Sequence, residues 1–188
     1  MESQAFISLI DLTSVMSKSN KNLISVAEAI AKVSSGVKLV SNENVALSEG
    51  LGRVLATDVK SRLTHPPVDV SAMDGYAVSE KDLLNIPVTL KQVGISAAGS
   101  GFKGNLGSGE TVRIFTGAPL PSGADTIIIQ EDVDSDKDDI TIKKGASRGN
   151  FVRSAGLDFY KGDVLLKSGR IITGRDLGLV AAMNVPWL

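Results

Sequence analysis

The first clear pattern of hydrophobic and polar positions begins at Ser25. Ser25 and Glu28 have the spacing of an N-terminal capping box, and apolar side chains follow at roughly helical intervals. This pattern predicts a helix over about residues 25–34 that ends near Gly36. Residues 1–22 show no clear hydrophobic period, so no element is predicted there.

The same cap spacing recurs near the end of the chain. Thr173 and Asp176 precede a second apolar pattern, which predicts a helix that ends at Asn184 and Pro186. The apolar sequence VPWL follows that helix directly. An apolar end after a helix is typical of a cut at a domain border, so we expect a fragment of a longer protein.

Between these helices the pattern is one of short β runs. Each run is bounded by Gly, Pro, Asp or Asn, the residues that favour turns. The predicted runs are ENVAL, GRVLATDVKS, GYAV, IPVTLKQVG, ETVRIF, ADTIIIQE, DITIKK and GDVLLKSGRII. The predicted fold class is therefore α+β and predominantly β.

Composition narrows the function classes. The 188 residues carry 20 Lys and Arg against 21 Asp and Glu, so no net positive charge favours nucleic acid or an anionic membrane. Cys is absent and there is one His, which excludes thiolate catalysis and zinc sites built from Cys or several His. Without a long apolar run or a basic leader, we expect a soluble, cytoplasmic protein.

The acidic run EDVDSDKDD at residues 131–139 is the one uneven charge distribution. Its spacing lacks the Gly and the final Glu of an EF-hand calcium loop. We therefore predict a solvated hairpin loop between two strands.

Three segments carry candidate chemistry. In PPVDVSAMDGYAV, the Asp74-Gly75 pair is typical of a hairpin turn, but a stiff loop with Asp69 and Asp74 can also present a cation or orient a proton donor. In TVRIFTGAPLPSGAD, Thr116 and an exposed Gly117 amide can donate to an oxyanion, although a structural β-β connection looks similar.

The third segment is RGNFVRSAGLDFYKGD. Its Arg148 and Arg153 can bind phosphate in a fork, with Asp158 orienting the arginine, or these side chains form a surface ion pair. His65 has no Ser or Cys partner in a recognisable motif, so we predict a surface or packing residue.

The three segments occur in the same order in one family. PPVDVSAMDGYAV, RIFTGAPLPSGADTIIIQE and GNFVRSAGLDFYKGD resemble the N-terminal half of the MoeA and gephyrin E-domain family, the molybdopterin molybdenumtransferases. The resemblance covers about residues 23–188. It implies an enzyme that inserts molybdate into adenylated molybdopterin and releases AMP, with a divalent cation such as Mg²⁺ assisting.

The resemblance also implies site residues. The implied catalytic residues are Asp74, Thr116 and Asp158, with Asp74 as the metal ligand. The implied substrate-binding residues are Arg153, Gly117 and Ser71. The sequence departs from the family at Val68 and Val70, often Phe and Asn, and at Ser154 and Ala155, often basic.

The implied architecture is elongated and forms a homodimer. It has a base of residues 1–62 and 148–188 and an inserted β-rich lobe of residues 63–147. The family's pterin-binding α/β domain and small C-terminal β domain are missing from this sequence, so we expect the chain alone to be inactive. The alternative function is a non-catalytic dimerising scaffold or partner-binding module of the same family.

Overall fold

The computed structural model describes residues 23–188, so segment 1–22 lies outside the described residues. The chain divides into two compact units, with the boundary between Asn42 and Glu43. In the first unit, helix α1 spans Val26–Ser35. Ser25 Oγ accepts the Glu28 amide at 3.1 Å and Glu28 accepts the Ser25 amide at 2.8 Å, which confirms the predicted helix and its capping box.

The second unit is built mostly from strands. They are β1 (Val59–Lys60), β2 (Val70–Ser71), β3 (Gly75–Val78), β4 (Val88–Ser96), β5 (Glu110–Ile114), β6 (Thr126–Ile129), β7 (Val133–Asp136), β8 (Asp139–Ile142), β9 (Val152–Arg153) and β10 (Val164–Leu166). Helix α2 spans Gly174–Ala182. The predicted fold class, α+β and mostly β, is confirmed.

Six strands form one sheet in the order β6-β3-β5-β4-β8-β7, and we call residues 75–142 the β lobe. All neighbours in the sheet are antiparallel except β4 and β5, which are parallel. Its aliphatic runs fill two adjoining clusters of buried side chains. The fully buried large residues of the lobe include Val78, Val112, Ile114, Ile127, Ile140 and Ile142. Burial of these apolar side chains is what holds the lobe rigid around the loops at its ends.

A separate core lies at the other end of the second unit, and we call residues 43–63 and 159–188 the base. Here β1 pairs with β10, and the segment around Ala46 pairs with Trp187. The buried side chains of the base include Leu55, Val59, Phe159, Val180 and Met183. Two segments of the chain run between the base and the lobe. They pair with each other through a β-bridge between His65 and Phe159 and through strands β2 and β9. We call residues 65–71 and 152–159 the ribbon.

Two strand predictions differ from the structure. The runs ENVAL and GRVLATDVKS form isolated bridges and turns, with a regular strand only at Val59–Lys60. Their apolar side chains, such as Leu55, are buried in the base from irregular backbone, and burial alone does not require a ladder of hydrogen bonds.

The acidic run forms a hairpin, but strands extend into it. Strand β7 reaches Asp136, Lys137 takes a left-handed φ of 56° at the turn, and β8 begins at Asp139. Since β7 is the edge of the six-stranded sheet, its exposed carboxylates discourage pairing with another chain.

Within residues 23–188, no helix combines the length and hydropathy needed to cross a membrane.

Asp176 is expected to stabilise the base through the start of α2. Its carboxylate accepts a hydrogen bond from Arg170 at 2.9 Å and another from the Thr173 amide at 2.9 Å. These bonds, with that of Arg170 the strongest, lower the pKa of Asp176 from 3.8 to about 2. Because the pKa of Asp176 is lower in the folded protein than in the unfolded chain, its charged carboxylate stabilises the fold at pH values above the unfolded pKa. That stabilisation is lost as the pH falls toward the folded pKa. Asp176→Asn should lower Tm by several degrees at pH 7, measured by circular dichroism. The difference should shrink between pH 4 and about pH 2, and a constant difference would contradict the assignment.

Candidate active site

The structure places Asp74 and Thr116 side by side at one end of the β lobe. In the β3–β5 register Gly75 lies opposite Ile114, so the residue before β3 meets the loop that follows β5. Asp74 Oδ1 accepts two hydrogen bonds from Thr116, one from the amide and one from Oγ1, each 2.8 Å long. Both residues are exposed, so the pair is open to a ligand.

The bonds from Thr116 keep Asp74 ionised. They lower the pKa of the Asp74 carboxyl, the backbone amide more than the hydroxyl, and the positive charge of Arg113 adds to the effect. A carboxylate that stays charged at neutral pH can accept hydrogen bonds or bind a cation. The Asp74-Gly75 pair is therefore more than a local turn, because its carboxylate is bonded to a residue 42 positions away.

Arg113 is a charged neighbour of Asp74 that the sequence motifs did not identify. Its guanidinium lies over the rings of Tyr76 and Phe115, 4.9 and 5.0 Å from their centroids, and donates to Gln130 at 2.6 Å. These contacts hold a positive charge close to Asp74. An arginine within the run ETVRIF at a half-buried strand position was the available signal.

Ser71 and Gly117 stabilise the two loops that carry Asp74 and Thr116. The Gly117 amide donates to the Ser71 carbonyl at 2.8 Å, so the free Gly117 amide that the sequence suggested is engaged inside the protein. Gly117 has a left-handed φ of 79° and open space where a side chain would be, so a ligand can approach its backbone. Ser71 is 1% exposed, and its hydroxyl donates to the Met73 carbonyl at 2.5 Å. Its hydroxyl therefore shapes the loop that carries Asp74.

Asp158 and Arg153 form a second group on the ribbon. Arg153 Nη2 donates to Asp158 Oδ1 at 3.1 Å, and His65 Nδ1 lies 3.0 Å from Asp158 Oδ2. All three side chains are between 39% and 48% exposed. Arg148 instead lies 3.7 Å from Asp125 in the lobe and is separate from this group.

The first group lies at the end of the β lobe and the second on the ribbon, and no hydrogen bond joins the two groups. Strand pairing puts Val70 opposite Arg153, and Asp74 follows Val70 by four residues, which spans at most about 14 Å of extended chain. Asp69 Oδ1 accepts a hydrogen bond from the Ala155 amide at 2.8 Å, and this bond links the two segments of the ribbon. The structure thus brings Asp74 to Thr116 and Arg153 to Asp158, and it joins the two pairs through β2.

Thr116→Val tests the coupling within the first pair. The substitution removes the hydroxyl donor and keeps both the amide donor and the side-chain shape. The pKa of Asp74 should rise toward the ordinary aspartate value without reaching it, because the amide bond has the larger effect. Carbon NMR of the Asp74 carboxyl across pH 2 to 6 measures this shift. An unchanged titration would show that Thr116 Oγ1 does not donate to Asp74 in solution.

The fold and this geometry define a strand-rich α+β module that carries two exposed carboxylates, Asp74 at the end of the β lobe and Asp158 on the ribbon. The family model described as the MoeA N-terminal region (domain I and II) matches residues 24–184. The chain belongs to this family, as its three motifs suggested.

Individual relatives agree with the family. The chain is 39% identical over 144 residues to a molybdopterin molybdenumtransferase of Haemophilus influenzae, covering 76% of this chain and 35% of that one. It is 38% identical over 148 residues to a molybdopterin molybdenumtransferase of a Nostoc species, covering 77% and 34%. The chain therefore spans about a third of these relatives' length. The crystal structure of the molybdopterin biosynthesis moeA protein of Pyrococcus horikoshii OT3 superposes with a TM-score of 0.83 at 29% identity, covering 89% of this chain and 45% of that one.

Proposed function

We propose that this chain supplies part of the active site of a molybdenum insertase, which transfers molybdate to adenylated molybdopterin and releases AMP. The observation that carries the proposal is the Asp74–Thr116 pair, joined through β2 to Arg153 and Asp158. The named relatives are molybdopterin molybdenumtransferases, so the proposal assigns a known chemistry to an observed geometry. The similarity to these relatives supports a role in molybdenum cofactor biosynthesis.

Each side chain has a role that its contacts permit. Arg153 presents a guanidinium, whose planar donors suit the phosphates of adenylated molybdopterin. Asp158 orients that guanidinium through the 3.1 Å bond. At the end of the β lobe, the hydroxyl and the amide of Thr116 are hydrogen-bond donors. An oxyanion that binds there can compete with the Asp74 carboxylate for these two donors. Molybdate and the phosphate group of the departing AMP are both oxyanions of this kind.

Asp74 fits the role of a Mg²⁺ ligand. Mg²⁺ in phosphoryl-transfer sites keeps several waters and takes one or two carboxylates together with substrate phosphates. In the described part of the chain no group of three or more acidic, His or Cys side chains could hold a metal by itself, so substrate oxygens would complete the shell. A bound Mg²⁺ would polarise the phosphoanhydride and neutralise charge that develops when AMP leaves.

The remaining family properties are part of the proposal. We assign residues 63–147 to an inserted lobe and residues 1–62 and 148–188 to a base that supports a homodimer. The β lobe and the base defined above, residues 43–63 and 159–188, have separate buried cores, which supports this division. The absence of Cys is compatible with the proposed cytoplasmic location.

The direct test is an assay of the protein as its gene encodes it. With adenylated molybdopterin and Mg²⁺, AMP release should depend on molybdate and should yield the molybdenum cofactor. A preparation without molybdate is the control. AMP release that is absent, or equal with and without molybdate, would contradict the insertase and favour the scaffold alternative.

Arg153→Met is expected to weaken substrate binding with little change in folding, since Arg153 is exposed. Hydrogen bonds between charged groups are worth about 1.5 to 3 kcal/mol, so KM for adenylated molybdopterin should rise roughly 10- to 100-fold. Steady-state kinetics measures the change. Arg148→Met is the matched control, because Arg148 contacts Asp125 and should leave KM unchanged. Equal effects of the two variants would remove Arg153 from the site.

A further inference from the structure

His65 is the one histidine of the chain, and it lies against Asp158 rather than in a core. Its Nδ1 is 3.0 Å from Asp158 Oδ2, and its ring is tilted on Phe159 with a centroid distance of 5.7 Å. Because a carboxylate oxygen only accepts hydrogen bonds, Nδ1 must be the donor in this contact. The His65 ring therefore carries its proton on the nitrogen that faces Asp158.

The backbone brings these two residues together independently of the side-chain bond. The His65 amide donates to the Phe159 carbonyl at 2.9 Å, and the Asp158 amide donates to the His65 carbonyl at 3.0 Å. A substitution of the His65 side chain leaves both bonds in place. The Nδ1 contact is thus an addition to the ribbon, and its removal can be separated from loss of the fold.

The contacts of Asp158 divide its carboxylate between two donors. Arg153 Nη2 lies 3.1 Å from Oδ1 and 3.5 Å from Oδ2, whereas His65 Nδ1 contacts only Oδ2. A guanidinium that also donates to a phosphate would share its donors between two anions and hold Asp158 less firmly. His65 Nδ1 is a second donor to the Asp158 carboxylate that does not depend on Arg153. Both His65 and Asp158 line an open groove of about 650 Å³, so the oriented carboxylate faces accessible space.

We propose that His65 is a positioning residue for the insertase reaction, which fixes the Asp158 carboxylate through Nδ1 so that Asp158 can direct Arg153 onto the substrate. This inference rests on the proposed function and adds to it a residue outside the motifs' implied site.

Two variants of His65 separate orientation from packing. His65→Leu keeps apolar bulk on Phe159 and removes the donor, whereas His65→Asn keeps a donor near the Nδ1 position and reduces the packing. In the protein as its gene encodes it, His65→Leu should lower kcat for molybdate-dependent AMP release roughly 10- to 100-fold. His65→Asn should retain most of the wild-type kcat. Tyr160→Phe is the control, because it removes a 3.2 Å bond to Ala155 in the same loop without touching Asp158.

Stability should follow the opposite order. Tm should stay near wild type in His65→Leu and fall in His65→Asn, since only the latter loses packing against Phe159. If kcat instead follows Tm through both variants, or if His65→Leu is as active as wild type, the positioning role is overturned. A loss in Tyr160→Phe equal to that in His65→Leu would also overturn it, because the effect would then belong to the loop.

A second readout does not depend on turnover. The carboxyl carbon resonance of Asp158 should move in His65→Leu and stay near its wild-type position in His65→Asn. If the wild-type protein releases no AMP, the proposed function fails, and this resonance still decides whether His65 fixes Asp158. An unchanged Asp158 resonance in His65→Leu would overturn the inference whatever the activity.

Discussion

Asp74→Asn is expected to reduce molybdate-dependent AMP release at least about 100-fold while the protein stays folded. Asparagine keeps the size of the side chain and an oxygen that can accept from Thr116, so the hydrogen-bonded loop survives. The substitution removes the negative charge, and with it the ability to hold a divalent cation at this edge of the lobe. Steady-state AMP release measured over a range of Mg²⁺ concentrations should show the loss at every concentration.

Asp58→Asn is a matched control for this substitution. Asp58 also has a lowered pKa, because Lys167 and the Ser168 amide donate to it, but it lies in the base. This variant should retain the wild-type rate. Wild-type turnover by Asp74→Asn would remove Asp74 from the reaction, and an equal loss in both variants would point to a general effect of the lost charge.

Gly75→Ala is expected to destabilise the β lobe by at least about 3 kcal/mol, which is a large part of the stability of a typical domain. Gly75 is buried between β5 and β6, and a Cβ there would overlap the Ile128 carbonyl oxygen and lie 3.0 Å from Ile129 Cα. The three atoms nearest to that Cβ are all backbone atoms of β6, so no flexible side chain there can move away. The free energy of unfolding, measured by urea titration, reports the change.

Gly178→Ala is the control for this effect of a single methyl group. Gly178 lies in α2, is exposed and has open space around it, so alanine should stabilise the helix by about 0.5 to 1 kcal/mol. The two substitutions are chemically identical and should have opposite signs. A Gly75→Ala protein as stable as wild type would show that β3 can move away from β6, and the rigid support of Asp74 would then be lost as an argument.

Local patterns were readable from the sequence because they use near neighbours. The capping boxes at Ser25 and Thr173 each join residues three positions apart, and both are present in the structure. The apolar runs that became β3, β5 and β6 were predicted for a similar reason, since each run must be buried on a sheet. The run ENVAL failed because burial in the base did not require a regular strand there.

The candidate site was only partly readable. From the residues alone, a hairpin turn was the favoured interpretation of Asp74, and the motif resemblance supplied the site roles of Asp74, Thr116 and Asp158. The local sequence marked Arg113 only as an arginine within a strand run, and it did not indicate the contact of His65 with Asp158. The partners of these side chains lie far along the chain, and His65 meets Asp158 across 93 residues.

The sequence by itself determined the helix caps, most of the strands of the lobe, the fold class and the family. Tertiary structure alone decided that the Asp74 carboxylate is held by Thr116 and that Asp158 lies between Arg153 and His65. The physical reason is the range of the interactions. Caps and turns are satisfied within four residues, whereas the contacts of the site exist only after strand register has aligned distant segments.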